Sequence, residues 1–526
     1  MTKKAVIAAV CLCCAAALLI FTFLRFGTDD NIMSLLPRPD EAGMYAVAQT
    51  TGGVPRLIMS LAAESFGAGD ERLPAEYAVL AAAAAADESA LLAEKKNGKE
   101  EYSLCAALRF SSSETAELKK GRLGKELKNV LKDAVVKETE TKGVFSAESQ
   151  EFSGPVFYRI YGKYAAVAPD AASLNRMEEA RKDKKSSLGG KKWKVEKDWP
   201  AHIEICDGGA VTANAKEKFP VTIEAAWRTE GAEGPMSPAG EARWALVSLG
   251  KPAELWLSRS LKAKKWNTSD YFIPEPLMLS AGVNMPELKG KHEDWAFPLS
   301  SLGETAAGIG LSEAQIKEIL AGQTVFSVGG QNKILWFSVP GFLVQFTGRA
   351  GLMKDLVEKF WEGLFFGANP EPIPGFEAGG TANLPFSAIG ASRGNTAVLG
   401  LTTRRSLEGG ADTLGKYLDK NEEVIGWAIA DLPRVGGALS DMTRISGLFD
   451  DDLVKNDDEA WEDPYEEDDE DSITDLLQRD LTADSFDEET VSSFSNVLKL
   501  MGRVFILWEK PLSGRLFWYS PAKAAD

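Results

Sequence analysis

Histidine is almost missing from this chain of 526 residues: there are two, His202 and His292. A histidine-based catalytic pair or metal centre therefore has few places to form. Cysteine is also scarce, with five residues, and Cys11, Cys13 and Cys14 crowd into one apolar stretch near the start. Cys105 and Cys206 remain, each in an apolar, strand-like run. A disulfide between them is permitted outside the cytoplasm, but two buried thiols are the simpler reading for such runs. Positive charge is in deficit: Lys and Arg number 59 against 77 Asp and Glu, a net charge of −18. That balance disfavours wholesale nucleic-acid binding, so no nucleic-acid partner is expected. The deficit is local, because residues 450–471 hold 14 acidic side chains and one lysine, and so carry −13 of it.

What is present begins with apolar length. After Lys3 and Lys4 no charge appears from residue 5 to residue 24, a run of 20 residues. That length spans a hydrocarbon core as a helix and exceeds the ~7–15 residues of a cleavable signal core. The sequence therefore predicts a cytoplasmic tail (1–4), a transmembrane signal-anchor (5–24) and a linker (25–40). The lysines orient the chain with its bulk outside the cytoplasm. The expected location is the inner membrane, single-pass and periplasmic, with the membrane itself as one partner.

Apolar residues make up 44% of the chain, enough for sizeable cores. Self-similarity organises them. "YGKYAAVAPDAASLNRMEEA" (161–180) has a counterpart in "GNTAVLGLTTRRSLEGGADTL" (394–414), with Gly162 opposite Gly394. In the same order, 101–121 parallels 336–360, and 199–210 parallels 424–438 with Asp207 opposite Asp431. Residues 219–250 parallel 502–520, each a hairpin with a Trp on either strand. Collinear matches of this kind mark repeated supersecondary units. The predicted fold class is α+β: two tandem copies of a mixed strand/helix module with largely antiparallel sheets, copy one at 41–260 and copy two at 261–526. Residues 78–96 are predicted helical by propensity. Leu118, Leu123, Leu127 and Leu131 have helical spacing. Residues 310–322 form a helix with Ser312 as N-cap and Gln315 three residues on.

Candidate chemistry is thin. "GASRG" (390–394) fits the G-x-S-x-G nucleophile elbow around Ser392, but that motif needs a helix after the serine. Here a second strand follows, and Gly394 belongs to a hairpin turn. "GADTLGKY" (410–417) lacks the Ser or Thr that ends a P-loop. "KHEDW" (291–295) places adjacent residues on an extended chain, where they cannot share one metal. The acidic run offers Asp450, Asp451, Asp452, Glu466, Glu467, Asp468 and Asp469 as a weak cation loop, without the spacing of an EF-hand. Its default state is a solvated loop. "LVEKFWEGLFFGANP" (356–370) concentrates Phe360, Trp361, Leu364, Phe365 and Phe366, the first choice for an apolar patch, against the plainer reading of a helix core face. No catalytic residue, cofactor or metal set is assigned.

"LLPRPDEAGMYAV" and "SLGETAAGIGLSEAQIKEILAGQTVFSVGG", with the apolar start, resemble the DUF3352-type bacterial envelope proteins. The resemblance spans most of 35–430 and rests on structural motifs, so it implies an envelope location and no catalytic residues. "TDDNIMSLLP" (28–37) is more faintly similar to export permeases of the RND class. The expected function is a membrane-anchored, non-enzymatic binding or scaffolding protein of the cell envelope, with an envelope protein or lipid as partner. The alternatives are a carrier of an apolar ligand such as lipid, and a hydrolase using Ser392.

Overall fold

The structure is a computed structural model. It describes residues 31–39, 43–51, 72–95, 102–183, 185–190, 199, 201–207, 221–229, 240–247, 258, 261–285, 290–291, 299–334, 337–364, 369–383, 387–405, 414–416, 418–419, 422–440, 495, 498–499 and 502–519. The expectation of two tandem α+β modules behind a membrane helix is corrected. Among the described residues strand dominates: nine strands pair antiparallel in a first unit, ten in a second, and a further two form a separate ribbon. The chain does not divide in tandem either. Unit 1 takes Met1–Ser60, Gly69–Arg228 and Leu246–Leu249, and unit 2 takes Leu61–Ala68, Thr229–Ala245 and Gly250–Asp526.

Unit 1 contains β1 (Met44–Thr51), β2 (Glu88–Lys95), β3 (Tyr102–Arg109), β4 (Val135–Glu138), β5 (Val144–Glu148), β6 (Val156–Tyr161), β7 (Tyr164–Ala168), β8 (Ala201–Asp207) and β9 (Val221–Thr229). They lie side by side, all antiparallel, in the order β4–β5–β6–β7–β3–β2–β1–β8–β9. Its helices are α1 (Ala75–Ala84), α2 (Ser112–Lys119), α3 (Lys125–Val130) and α4 (Ala171–Lys182). Side chains alternate along a strand, so each strand feeds two cores. Leu91, Leu104, Ala106 and Val167 pack beneath α1, α2 and α3. Val47, Leu92, Cys105 and Ala166 pack on the other face against Leu174 and Met177 of α4.

Unit 2 contains β10 (Gly240–Leu246), β11 (Lys264–Lys265), β12 (Leu277–Asn284), β13 (Gln323–Ile334), β14 (Phe337–Thr347), β15 (Ala378–Asn383), β16 (Ser387–Arg393), β17 (Thr396–Leu401), β18 (Glu423–Val424), β19 (Gly426–Asp431), β20 (Arg503–Lys510) and β21 (Ser513–Tyr519). The order is β10–β21–β20–β19–β12–β13–β14–β17–β16–β15. β11 and β18 form the separate ribbon. β10 belongs here because it pairs with β21 residue for residue from Gly240 to Ala245. Unpaired strand edges are a template for association, and this pairing leaves none at β21. That long-range pairing is the physical reason the tandem division fails. The helices are α5 (Leu299–Gly308), α6 (Glu313–Leu320) and α7 (Ala350–Leu364).

Local sequence explains many of these elements. Gly162 and Gly394 have φ of 62° and 53° and open the turns between β6 and β7 and between β16 and β17. A positive φ at the first turn position suits the twist of a two-residue hairpin. Asp170 caps α4, accepting from the Ser173 amide at 2.7 Å and from the Ser173 hydroxyl at 2.9 Å. The Pro-Asp turn in 161–180 is therefore scaffold. Ser312 and Gln315 form the expected capping box on α6. The helix predicted over 78–96 is corrected: α1 ends at Ala84, and Glu88–Lys95 is strand β2.

Candidate functional site

Among the described residues no helix is long and apolar enough to cross a membrane. Residues 5–24, where the anchor is expected, lie outside the described residues. The expectation of a signal-anchored, single-pass inner-membrane protein is corrected to this extent: the described residues supply no spanning helix for it. The acidic run with Asp450, Asp451, Asp452, Glu466, Glu467, Asp468 and Asp469 also lies outside the described residues, as does His292.

The other candidates can be placed. Ser392 is 3% exposed in β16, opposite Ala378 on one side and Ala397 on the other. A strand, a two-residue turn and a second strand surround it, not the strand-turn-helix of a nucleophile elbow. Phe360 and Trp361 point inward from α7 at 7% and 5% exposure. The Trp361 indole donates to the Gly390 carbonyl at 2.8 Å, and a Cβ at Gly390 would lie 2.6 Å from Phe360. These two side chains are core and form no surface patch. Phe365 and Phe366 lie outside the described residues, as does the side chain of Leu364. Cys105 and Cys206 are buried free thiols on β3 and β8. Leu414–Lys416 makes a 3-10 turn with Leu414 buried.

The structure exposes a different surface. Leu279, Phe326, Phe342 and Ile506 are 37%, 44%, 41% and 36% exposed. Register brings them together on one face of the unit 2 sheet. One row reads Ile506, Ala428, Ala281, Phe326 across β20, β19, β12 and β13. The next reads Val504, Ala430, Leu279, Val328, and reaches Phe342 on β14. Neither row contains a charge. The alanines make a shallow floor, with Phe326 and Ile506 as walls. β14 and β17 continue the same face under α6 and α7, where Phe346 and Ala397 join Leu320, Met353 and Val357 in a core.

The opposite face is closed. Trp266, Tyr271, Val325, Trp427 and Phe505 pack there as a core. Gln345, fully buried, accepts from the Phe272 amide at 2.8 Å and donates to the Phe272 carbonyl at 2.6 Å. Asn284 donates to the Val424 carbonyl at 2.6 Å. Gln345 clamps the segment before β12 onto the sheet, and Asn284 ties β18 to the end of β12. A sheet clamped on one face and apolar on both expects a cover on each.

A smaller counterpart exists in unit 1, where Ile205 and Ile223 face each other across β8 and β9 at 42% and 37% exposure. These strips do carry a signal in the sequence. "RVFILWEK" (503–510) is apolar at both parities, whereas a strand with one solvated face alternates.

No family model matches the chain, and neither does any curated protein or solved structure.

Proposed function

We propose that the chain is a binding or scaffolding protein with no catalytic activity, and that the strip of unit 2 is its working surface for an amphipathic helix of a protein partner. The carrying observation is the exposure of Leu279, Phe326, Phe342 and Ile506 in one charge-free patch. Contiguous exposed apolar surface beyond a few hundred Å² is rare on a monomer unless something binds it. The nature of the occupant follows from continuity. The adjoining strands of this face are covered by α7, whose Leu352, Met353, Leu356, Val357, Phe360 and Trp361 recur at helical spacing. A helix presenting the same spacing extends that layer over the alanine floor, a recurrent mode of recognition.

The test places a benzophenone amino acid at position 326 or 342 in cells and sequences the photocrosslinked peptides. The expected product is a partner segment with apolar residues at i, i+3, i+4 and i+7, lost when Ile506→Lys is added. Crosslinks to lipid, to this chain's own residues, or the same product from Lys264, an exposed residue of β11, would overturn the reading.

A further inference from the structure

We propose that unit 1 carries a peptide groove beside α4, that the chain's own residues 31–37 fill it as a resident ligand, and that the groove takes a partner segment of the same pattern: two apolar residues, a small spacer, two apolar residues and proline. The inference is independent of the strip in unit 2.

The occupant is in place. In "NIMSLLP" (31–37) the side chains of Ile32, Met33, Leu35 and Leu36 are each no more than 2% exposed. They share a core with Leu92 of β2, Cys105 and Ala107 of β3, and Leu174 and Met177 of α4. The segment lies directly against β2, β3 and α4. The sheet is low there, because Ala90, Cys105 and Ala107 are small and buried. Small residues on the sheet beside a helix leave a trough, and 32–36 fill it.

Three features make this segment resemble a docked peptide more than a strand of the core. The first is that it pairs its own backbone. Ile32–Leu35 is a 3-10 turn capped by Asn31, whose side chain accepts from the Met33 amide at 3.0 Å. The Ser34 amide donates to the Asn31 carbonyl at 2.9 Å, and the Leu36 amide to the Met33 carbonyl at 3.2 Å. Polar groups already paired can enter an apolar trough without the cost of orphaned ones.

The second is that the sheet is complete without it. β2 pairs with β1 and β3, and β3 pairs with β2 and β7, so both edges of each strand are used. Residues 31–39 contribute no strand. The third is the manner of attachment. Residues 36–38 lie antiparallel to 186–188: the Leu188 amide donates to the Leu36 carbonyl at 3.1 Å, and the Arg38 amide to the Ser186 carbonyl at 2.8 Å. The Asn31 amide nitrogen donates to the Gly189 carbonyl at 3.0 Å. Backbone pairing beside side-chain pockets is how extended peptides are recognised. Gly189 sets the spacer, since a Cβ there would lie 3.0 Å from the Cα and Cβ of Ser34.

The experiment uses the full chain with the site of a sequence-specific protease placed at 40–42, cut between the segment and β1. A fluorescent peptide of residues 30–39 is the probe, added in excess and read by anisotropy. The cut chain is expected to take it up saturably, and the uncut chain to exclude it. Leu36→Ala in the peptide should weaken uptake at least about thirtyfold, as for a large-to-small change in a core. Gly189→Val in the cut chain should weaken the unaltered peptide while circular dichroism stays native. If that variant does not fold, a benzophenone at peptide position 34 locates the site in the unaltered cut chain, and it should couple to 187–190. Failure of excess peptide to enter the cut chain, loss of native circular dichroism on cutting, equal binding to the uncut chain, no effect of Leu36→Ala, or coupling outside 187–190 would overturn the proposal.

Discussion

Cys105 sits mid-strand in β3 with 4% of its surface exposed, and burial, aided by the nearby Glu94 charge, pushes its thiol up to about 12. A thiolate is the reactive form, so native protein at pH 8 should leave Cys105 unlabelled by dithiobis(nitrobenzoate) until denaturant is added. Fast labelling without denaturant would contradict the burial. The same shift fixes a pH dependence. The folded pKa lies above the ordinary value of 9.0, so the unfolded chain loses the proton first. Stability from this group is intact below about 9 and falls as pH rises towards about 12. Cys105→Ala should flatten that alkaline decline in urea titrations. Gly282 makes a steric case at the same scale. A Cβ there would lie 2.6 Å from Trp427 and 2.8 Å from Trp266. Gly282→Ala should cost about 1–3 kcal/mol by overpacking, read as a lower urea midpoint at unchanged slope. The burial of both cysteines was legible from their apolar runs. The clash at Gly282 was not, because it depends on two tryptophans from distant segments meeting on one face.

Helix signals that are purely local were readable. The box at Ser312 and Gln315 needs only residues three apart, and α6 starts where they place it. Ser312→Ala should cost about 1 kcal/mol. Amide exchange in the first turn of α6 should rise while β13 keeps its protection; unchanged exchange would remove the cap's role. The stretch 78–96 shows where local reading fails. Its alanines and leucines favour a helix throughout, yet Glu88–Lys95 pairs with β1 on one side and β3 on the other. Two ladders outweigh the few tenths of a kcal/mol per residue that separate propensities. Likewise Leu118, Leu123, Leu127 and Leu131 join one core, but the chain turns at Gly121 with positive φ: Leu118 is in α2, Leu127 in α3, Leu123 in the connection and Leu131 just past α3. Periodicity reports which face is buried and is silent on a break between turns.

At the scale of the whole molecule, sheet edges are the least local feature of all. Nothing near residues 240–246 indicates that they pair with 513–519, yet this pairing assigns β10 to unit 2. The strip on that unit is a consequence of the same long-range register, because Ile506 and Phe326 fall on one row only when four strands align. Its exposure predicts solution behaviour that does not depend on knowing the partner. Wild-type protein should bind the dye anilinonaphthalene sulfonate in its native state. The pair Phe326→Lys and Ile506→Lys should abolish most of that signal and lower self-association at high concentration. Both positions face outward at 44% and 36% exposure, so the unfolding free energy from urea titration should change by no more than about 0.5 kcal/mol. Phe505→Lys, one residue away and fully buried, provides the contrast. An unpaired charge in that core should unfold the protein. If the exposed pair destabilises as strongly as Phe505→Lys, then another part of the chain covers the strip, and the partner surface proposed for unit 2 is lost.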